Sequence, residues 1–346
     1  ANAAECKAVR EAVGLFDQSS FAKFRLEGRD ACAVLNRVCA NDVDVAPGKL
    51  VYTQWLNDKG GIEADLTVTR LSETAYLIVT GAETEVKDFN WLKRHMPDDA
   101  HAVLTNVSSA MGVISIMGPN ARALLQSICP NDLSHEAFPF ATSQEIELGY
   151  AIVRASRITY VGELGWELYI PTEFMTGVYD EIVAAGAAFG LRHCGYHALN
   201  ALRMEKAYRH WGHDITDEDT PLEAGLGFAV RMDKPGGFIG REALLRQKEE
   251  GLKQRLVQFL LKDPAPMLYH NEPIWQGDRI AGYIRSGMYT HGLGGACGLG
   301  YVTAADGGVV GAIGADDYEI EIAGVRYPVT ASLKPLYDPS NARIKI

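Results

Sequence analysis

The segment GGIEADLTVTR, at residues 60–70, follows a turn-forming sequence and then alternates between apolar and polar residues. An alternation with period two predicts a β-strand that packs one face against a core. The apolar side chains from Ile62 to Val68 would line that face, so Asp65 projects from the opposite one. Taken alone, this periodicity is explained most simply by a solvated sheet face.

The segments around this strand predict a mixed α+β architecture. The preceding turn, NDKGG, favours a hairpin with a strand near residues 50–57. The other predicted elements of this part of the chain are helices over residues 5–15, 28–38, 84–95, 119–128, 173–189 and 195–208, and strands at 21–28, 75–81, 101–106, 111–117, 145–155 and 165–171.

The character of the chain changes after the segment MDKPGGF. A last amphipathic helix, GREALLRQKEE, is followed beyond Leu252 by short strands separated by Gly, Pro and Asp. This pattern is typical of a β-barrel or a β-sandwich. A chain of 346 residues is also long for one core, so we expect two or three domains with a boundary near residues 233–250.

Composition excludes several classes of function. The net charge of −11 argues against general nucleic-acid binding, which depends on clustered Lys and Arg. No segment is apolar enough for a membrane span, and we expect a cytoplasmic protein, or one of the mitochondrial matrix in a eukaryote. The six cysteines form no C-x-x-C pair, and Gly195 and Gly212 interrupt the helical spacing of the nearby histidines, so no metal site is predicted.

A second alternating segment, RITYVGELGWELYIP, contains a candidate ligand-binding carboxylate. At residues 157–171, the alternation puts Trp166 on one strand face and leaves Glu167 and Tyr169 on the other. A carboxylate can accept two hydrogen bonds from a planar ligand edge that carries two adjacent N–H donors. A rim-exposed glutamate is the simpler explanation of this segment taken alone.

The helix predicted over residues 195–208 carries two charges, Arg203 and Glu205, among apolar neighbours at helical spacing. An isolated buried charge is costly, so such charges either form a structural pair or hold a ligand. The residues alone favour the structural pair, and the ligand role stays open.

Six segments, in chain order, resemble the aminomethyltransferase family, which includes the glycine cleavage T-protein. They are GGIEADLTVTR, TYVGELGWELYIP, ALNALRMEKAYRHWGHDI, TPLEAGLGFAVRMDK, FIGREAL and CGLGYV, and the similarity runs from about residue 6 to the C-terminus. The sequence of these segments is most similar to the folate-binding C-terminal half of dimethylglycine and sarcosine dehydrogenases and related FAD-dependent oxidoreductases.

The resemblance implies an α+β fold of three domains around a central opening that holds tetrahydrofolate, with a C-terminal β-barrel domain. The expected division is a discontinuous folate-binding domain over residues 1–50 and 140–232, an α+β domain over 51–139 and a barrel over 233–346.

The resemblance also implies roles for individual residues. Asp65 matches the aspartate of the family's G-G-x-x-x-D block, which is regarded as the catalytic carboxylate beside the folate nitrogens. Tyr160 and Glu167 match the tyrosine and the glutamate of the pterin pocket, and the pterin edge carries the two adjacent donors that suit Glu167. Asp65 is therefore the catalytic candidate, and the cofactor-binding candidates are Tyr160, Glu167, Tyr169, Arg203 and Glu205.

Two departures from the family pattern bear on the substrate. T-proteins carry an arginine four residues before the arginine of L-R-x-E, where this chain has Leu199, which argues against recognition of an aminomethyl-lipoyl protein. Iron–sulfur assembly relatives carry K-G-C-Y-x-G-Q-E, where this chain has KPGGFIGRE without a cysteine. The chain also shows no FAD-binding half, so amine oxidation is expected to need a flavoprotein domain or subunit.

The resemblance thus predicts tetrahydrofolate-dependent one-carbon transfer, a demethylation, from a small N-methylated amine to give 5,10-methylenetetrahydrofolate. Two alternatives stay open. One is direct methyl transfer from a sulfonium or O-methyl donor, which gives 5-methyltetrahydrofolate. The other is a folate-binding module without turnover.

Overall fold

The computed structural model describes residues 1–346 and contains seven α-helices and seventeen β-strands. The helices are α1 (Asn2–Glu11), α2 (Ala31–Val38), α3 (Glu85–His95), α4 (Ala121–Gln126), α5 (Met175–Gly186), α6 (Tyr196–Glu205) and α7 (Arg241–Glu250). The strands are β1 (Val13–Asp17), β2 (Ala22–Glu27), β3 (Leu50–Leu56), β4 (Ile62–Ser72), β5 (Ala75–Thr80), β6 (Val103–Asn106), β7 (Met111–Met117), β8 (Ser143–Leu148), β9 (Ala151–Ser156), β10 (Gly165–Pro171), β11 (Leu191–His193), β12 (Gln254–Leu261), β13 (Pro273–Gln276), β14 (Arg279–Thr290), β15 (Gly295–Thr303), β16 (Glu319–Ile322) and β17 (Val325–Ser332).

The strands form two open sheets and one closed barrel. The six-stranded sheet has the order β11-β1-β7-β10-β9-β8, and the five-stranded sheet has the order β3-β4-β5-β2-β6. The barrel closes in the order β12-β15-β14-β13-β16-β17. The predicted α+β class and the C-terminal β-barrel are therefore confirmed. No helix combines the length and the apolar composition needed to cross a membrane.

The five-stranded sheet carries its helices on one face. In β4, Ala64, Leu66 and Val68 are at most 3% exposed, while Asp65 on the other face is part-buried. Ile62, which was expected on the face of Ala64, lies beyond a register shift and packs with Leu56 in a separate cluster. The apolar face packs against α2 and α3 through a cluster that includes Val34, Leu35 and Leu92. The face that carries Asp65 is consequently turned away from these helices.

The six-stranded sheet packs α4 and α5 against one face, while α1 and α6 pack against Phe16 and Met117 on the other. Trp166 and Leu168 of β10 are fully buried in a cluster with Leu124 of α4 and Val178 of α5. Because successive residues of a strand point to opposite faces, Glu167 lies on the face opposite α4 and α5.

Two sequence predictions of local structure were wrong. The helix expected over residues 5–15 ends at Glu11, and β1 follows as a strand within the six-stranded sheet. Gly14 permits this path, because β1 passes so close to α1 that an added β-carbon would clash with Val9. The single strand expected near residues 145–155 is a hairpin of β8 and β9, whose turn contains Gly149 with φ 56°.

The two open sheets are interleaved along the chain. β2 comes from the segment assigned to the first predicted domain, but it pairs with β5 and β6 in the five-stranded sheet. β7 comes from the segment assigned to the second, but it pairs with β1 and β10. Pairing between strands so far apart in the chain leaves no signal in the local sequence. The three predicted domain ranges stay a prediction.

Candidate active site

The faces of the two open sheets that carry Asp65 and Glu167 contact each other over part of their area. Leu77 and Val79 of β5 lie opposite alternate residues of β4 that share the face of Asp65. Tyr169 of β10 shares the opposing sheet's face with Glu167. Because Leu77, Val79 and Tyr169 belong to one buried cluster, the two faces meet there. The fold thus brings the faces that carry Asp65 and Glu167 together.

Asp65 is oriented by the neighbouring strand. It lies directly opposite Gln54 of β3, and Gln54 Nε2 donates a hydrogen bond to Asp65 Oδ1 at 2.8 Å. Burial raises the pKa of Asp65 to about 6, against the opposing effects of Gln54, the Tyr52 hydroxyl and the positive charge of Arg209. A carboxyl group with this pKa can exchange a proton near neutral pH, as a general acid or base must.

Tyr160 lies in the same neighbourhood as Asp65. Its hydroxyl donates to the Arg209 carbonyl oxygen at 2.7 Å, and its ring stacks on Tyr208 with 5.9 Å between centroids. Burial raises the pKa of Tyr160, and the charge of Asp65 adds to the rise. Tyr160, Asp65 and Tyr52 are surrounded by protein yet keep partial access to solvent, so they line an internal cleft.

Glu167 lies between two serines on the adjacent strands of the sheet. Ser115 of β7 and Ser156 of β9 are its direct partners on the two adjacent strands, so all three side chains share one face. Tyr169 Oη donates to Glu167 Oε2 at 2.6 Å, while Oε1 accepts no hydrogen bond from the protein. Burial raises the pKa of Glu167, against the effect of the Tyr169 hydrogen bond.

Arg203 and Glu205 use their polar atoms on protein partners. Arg203 pairs with Asp214, and both side chains are nearly inaccessible to solvent. Glu205 accepts from Arg10 Nε at 3.0 Å and from the backbone N–H of Gly292 at 2.7 Å. These bonds tie α6 to α1 and to the barrel, as expected for the structural pairing that the sequence favours. A direct cofactor contact by either residue stays a prediction.

Sequence reasoning missed four side chains beside these carboxyl groups. Tyr52 and Gln54 are two residues apart on β3, and their shared face could have been inferred from the alternation of that strand. Arg209 and Gln18 carry no local signal, because the fold brings them to the cleft from distant parts of the chain. Two surface hollows on the segment between residues 222 and 255 include neither Asp65 nor Glu167.

Two family models match the chain. The GCVT N-terminal domain matches residues 1–234, and the glycine cleavage T-protein C-terminal barrel domain matches residues 254–338. The chain therefore belongs to the glycine cleavage T-protein, or aminomethyltransferase, family. This family is in general tetrahydrofolate-dependent.

The chain is also similar to individual proteins of this family and of related dehydrogenases. Mitochondrial sarcosine dehydrogenase of Homo sapiens is 39% identical over 357 residues, which cover 99% of this chain and 39% of that protein. An aminomethyltransferase of Shouchella clausii is 34% identical over 334 residues, which cover 96% of this chain and 89% of the relative. The glycine cleavage system aminomethyltransferase T of Bartonella henselae shares the fold, with a TM-score of 0.86, 23% identity and coverage of 98% and 90% of the two chains.

These relationships imply an enzyme. The chain spans about two fifths of the length of the sarcosine dehydrogenase that it matches. The activity of that larger protein is therefore a matter of proposal for this chain.

Proposed function

We propose that this chain catalyses tetrahydrofolate-dependent transfer of a one-carbon unit from a small N-methylated amine, with formation of 5,10-methylenetetrahydrofolate. The observation that carries the proposal is the meeting of two sheet faces that hold one carboxyl group each, Asp65 and Glu167. Family membership supports the choice of tetrahydrofolate. The sarcosine dehydrogenase relative supports the choice of donor, because sarcosine is an N-methylated amine.

The residues around Glu167 fit the pterin ring. The amino-pyrimidine edge of a pterin presents two adjacent N–H donors, and a carboxylate can accept both. Glu167 is buried and has one oxygen without a protein donor. A buried charge with few hydrogen bonds is unfavourable, so a ligand that supplies two donors would stabilise it.

When bound, tetrahydrofolate supplies the nucleophilic nitrogen that takes up the one-carbon unit. The protein must orient the reactants and manage a proton. Above pH 6 Asp65 is mostly ionised, and it can then accept a proton or stabilise positive charge at the reacting centre. The hydrogen bond from Gln54 holds the carboxylate in one orientation for this role.

The surroundings of Leu199 support a small donor over a lipoyl-bound carrier. Leu199 is 8% exposed and packs in an apolar cluster with Cys6 and Val9 of α1, so this position offers no cation to a carrier protein. We propose that a flavoprotein domain or subunit oxidises the amine and passes the one-carbon unit to this chain.

Two substitutions test the separate roles of the carboxyl groups. Asp65→Asn should lower kcat by about 10²-fold or more, as expected for loss of a general base, while the Kd for tetrahydrofolate changes by no more than about threefold. Glu167→Gln should weaken tetrahydrofolate binding by about tenfold or more, because an amide replaces one acceptor with a donor. Glu63→Gln is the matched control, since Glu63 is a part-buried carboxylate two residues from Asp65 that contacts Lys87.

Steady-state kinetics and titration calorimetry give the two readouts. Wild-type turnover in Asp65→Asn would remove the catalytic assignment. Unchanged affinity in Glu167→Gln would remove the pterin assignment.

Mass spectrometry of the folate product distinguishes the alternatives. A sulfonium or O-methyl donor would yield 5-methyltetrahydrofolate instead of the methylene form. A folate-binding module without turnover would leave tetrahydrofolate unchanged with every donor.

A further inference from the structure

A buried glutamine amide near Glu167 has one polar atom without a partner. Gln18 directly follows β1 and is 4% exposed. Ser115 Oγ donates to Gln18 Oε1, whereas Gln18 Nε2 has no hydrogen-bond partner. Buried N–H groups without an acceptor are rare in native proteins, and they are often completed by a ligand or water.

Ser115 connects this amide to the glutamate. Phe16 of β1 lies opposite Ser115, so Gln18, two residues further along, projects from the same face of the sheet. Ser115 also lies opposite Glu167, and the β-carbons of such partners are about 5 Å apart. The unpaired donor and the buried carboxyl group therefore share one sheet face and are separated by one serine.

We propose that Gln18 recognises the oxygen at position 4 of the pterin ring, an inference that rests on the proposed function. The pterin edge carries this carbonyl oxygen directly beside the N–H groups assigned to Glu167. An ionised carboxylate only accepts hydrogen bonds, so recognition of the whole edge needs a donor next to it. Gln18 Nε2 is such a donor, and Ser115 holds the other end of the amide.

This arrangement determines specificity among pteridines. A 4-oxopteridine offers an acceptor to Gln18 Nε2. A 2,4-diaminopteridine offers an N–H donor at the same place, which leaves two buried donors facing each other. The site should therefore bind 4-oxo forms and discriminate against their 4-amino counterparts.

The test compares tetrahydrofolate with tetrahydroaminopterin, which replaces the 4-oxo group by an amino group. Calorimetric titration should show that the wild-type chain binds tetrahydrofolate at least about tenfold more tightly. Gln18→Met, which keeps the length of the side chain and removes the donor, should weaken tetrahydrofolate binding by about tenfold and tetrahydroaminopterin binding by less than about threefold. The selective loss is the signature, because a packing defect would weaken both ligands equally.

A second variant covers the case in which Gln18→Met does not fold, as judged by circular dichroism. Ser115→Ala removes the group that orients the amide, so the preference for the 4-oxo ligand should fall by about threefold or more. An unchanged preference in that case would overturn the assignment.

The outcomes separate the two proposals. A wild-type chain that binds no tetrahydrofolate overturns both of them. A chain that binds tetrahydrofolate without preferring it to the 4-amino ligand, or a folded Gln18→Met variant that affects both ligands alike, overturns only the role of Gln18. Glu167→Gln should weaken tetrahydrofolate binding whatever the role of Gln18, so it reports on the folate site separately.

Discussion

Replacing Asp65 by asparagine should stabilise the protein at pH 8 and change its stability little at pH 4. Burial raises the pKa of Asp65 from 3.8 to about 6, so ionising this carboxyl group costs more free energy in the folded chain than in the unfolded chain. Below about pH 4 the group is mostly protonated in both states. As the pH rises from 4 through 6, the folded chain binds more protons than the unfolded one, so this contribution to wild-type stability is lost.

The magnitude follows from the two pKa values. A difference of about two pH units corresponds to roughly 3 kcal/mol, at 1.4 kcal/mol per unit. Asp65 keeps partial access to solvent in the cleft, which screens its charge, so we expect about 1–2 kcal/mol. Asparagine has the same shape, and its oxygen can still accept the hydrogen bond that Gln54 donates at 2.8 Å in the wild-type protein.

Urea unfolding at several pH values between 4 and 8 measures this difference. The free energy of unfolding should fall more steeply with rising pH in the wild-type chain than in Asp65→Asn. Glu63→Gln, two residues away on β4, should follow the wild-type curve. A variant that is less stable than wild type at pH 8, or a stability difference that does not depend on pH, would refute the reasoning.

Other parts of the structure give further predictions. Asp214→Asn leaves Arg203 buried without its counter-ion and should lower the free energy of unfolding by about 3–5 kcal/mol in urea titrations, and a loss below 1 kcal/mol would contradict the pairing. Lys234→Met should cost about 2 kcal/mol, because Lys234 Nζ donates to three backbone carbonyls in and just after α2 at 2.5 to 2.8 Å, and an unchanged melting temperature would argue against it. The pH profile of kcat/KM should have an acid limb near pH 6, where Asp65 must ionise to act as a base. The residual activity of Asp65→Asn should lack this limb, and its persistence would assign it to another group.

The sequence predicts which faces of β4 and β10 carry Asp65 and Glu167. It does not predict that Gln54 lies opposite Asp65. Side chains alternate along any strand, so local sequence is enough to place Asp65 on the polar face of β4. The register is different, because the β3 and β4 pairing shifts between Trp55 and Leu56 and puts Gln54 opposite Asp65. An unshifted hairpin would put Thr53 there, and irregularities of this kind have little local signal.

For the charged residues of α6, the local sequence predicts the burial of the side chains but not their partners. Helical spacing predicts that Arg203 and Glu205 lie among apolar residues, and both are at most 1% exposed. Their partners, however, include Asp214, 11 residues away, and Arg10, 195 residues away. Partners at these separations are set by tertiary packing, which a single sequence does not reveal. The contact between the two sheet faces is also set by tertiary packing, so the sequence alone does not predict it.

A crystal structure of the chain soaked with tetrahydrofolate tests the central claim most directly. The account predicts the pterin between the two open sheets, with its amino-pyrimidine edge on the Glu167 carboxylate and the Asp65 carboxylate facing the reduced ring. Tetrahydrofolate bound elsewhere, an empty cleft at saturating concentration, or both carboxylates turned away from the ligand would contradict it.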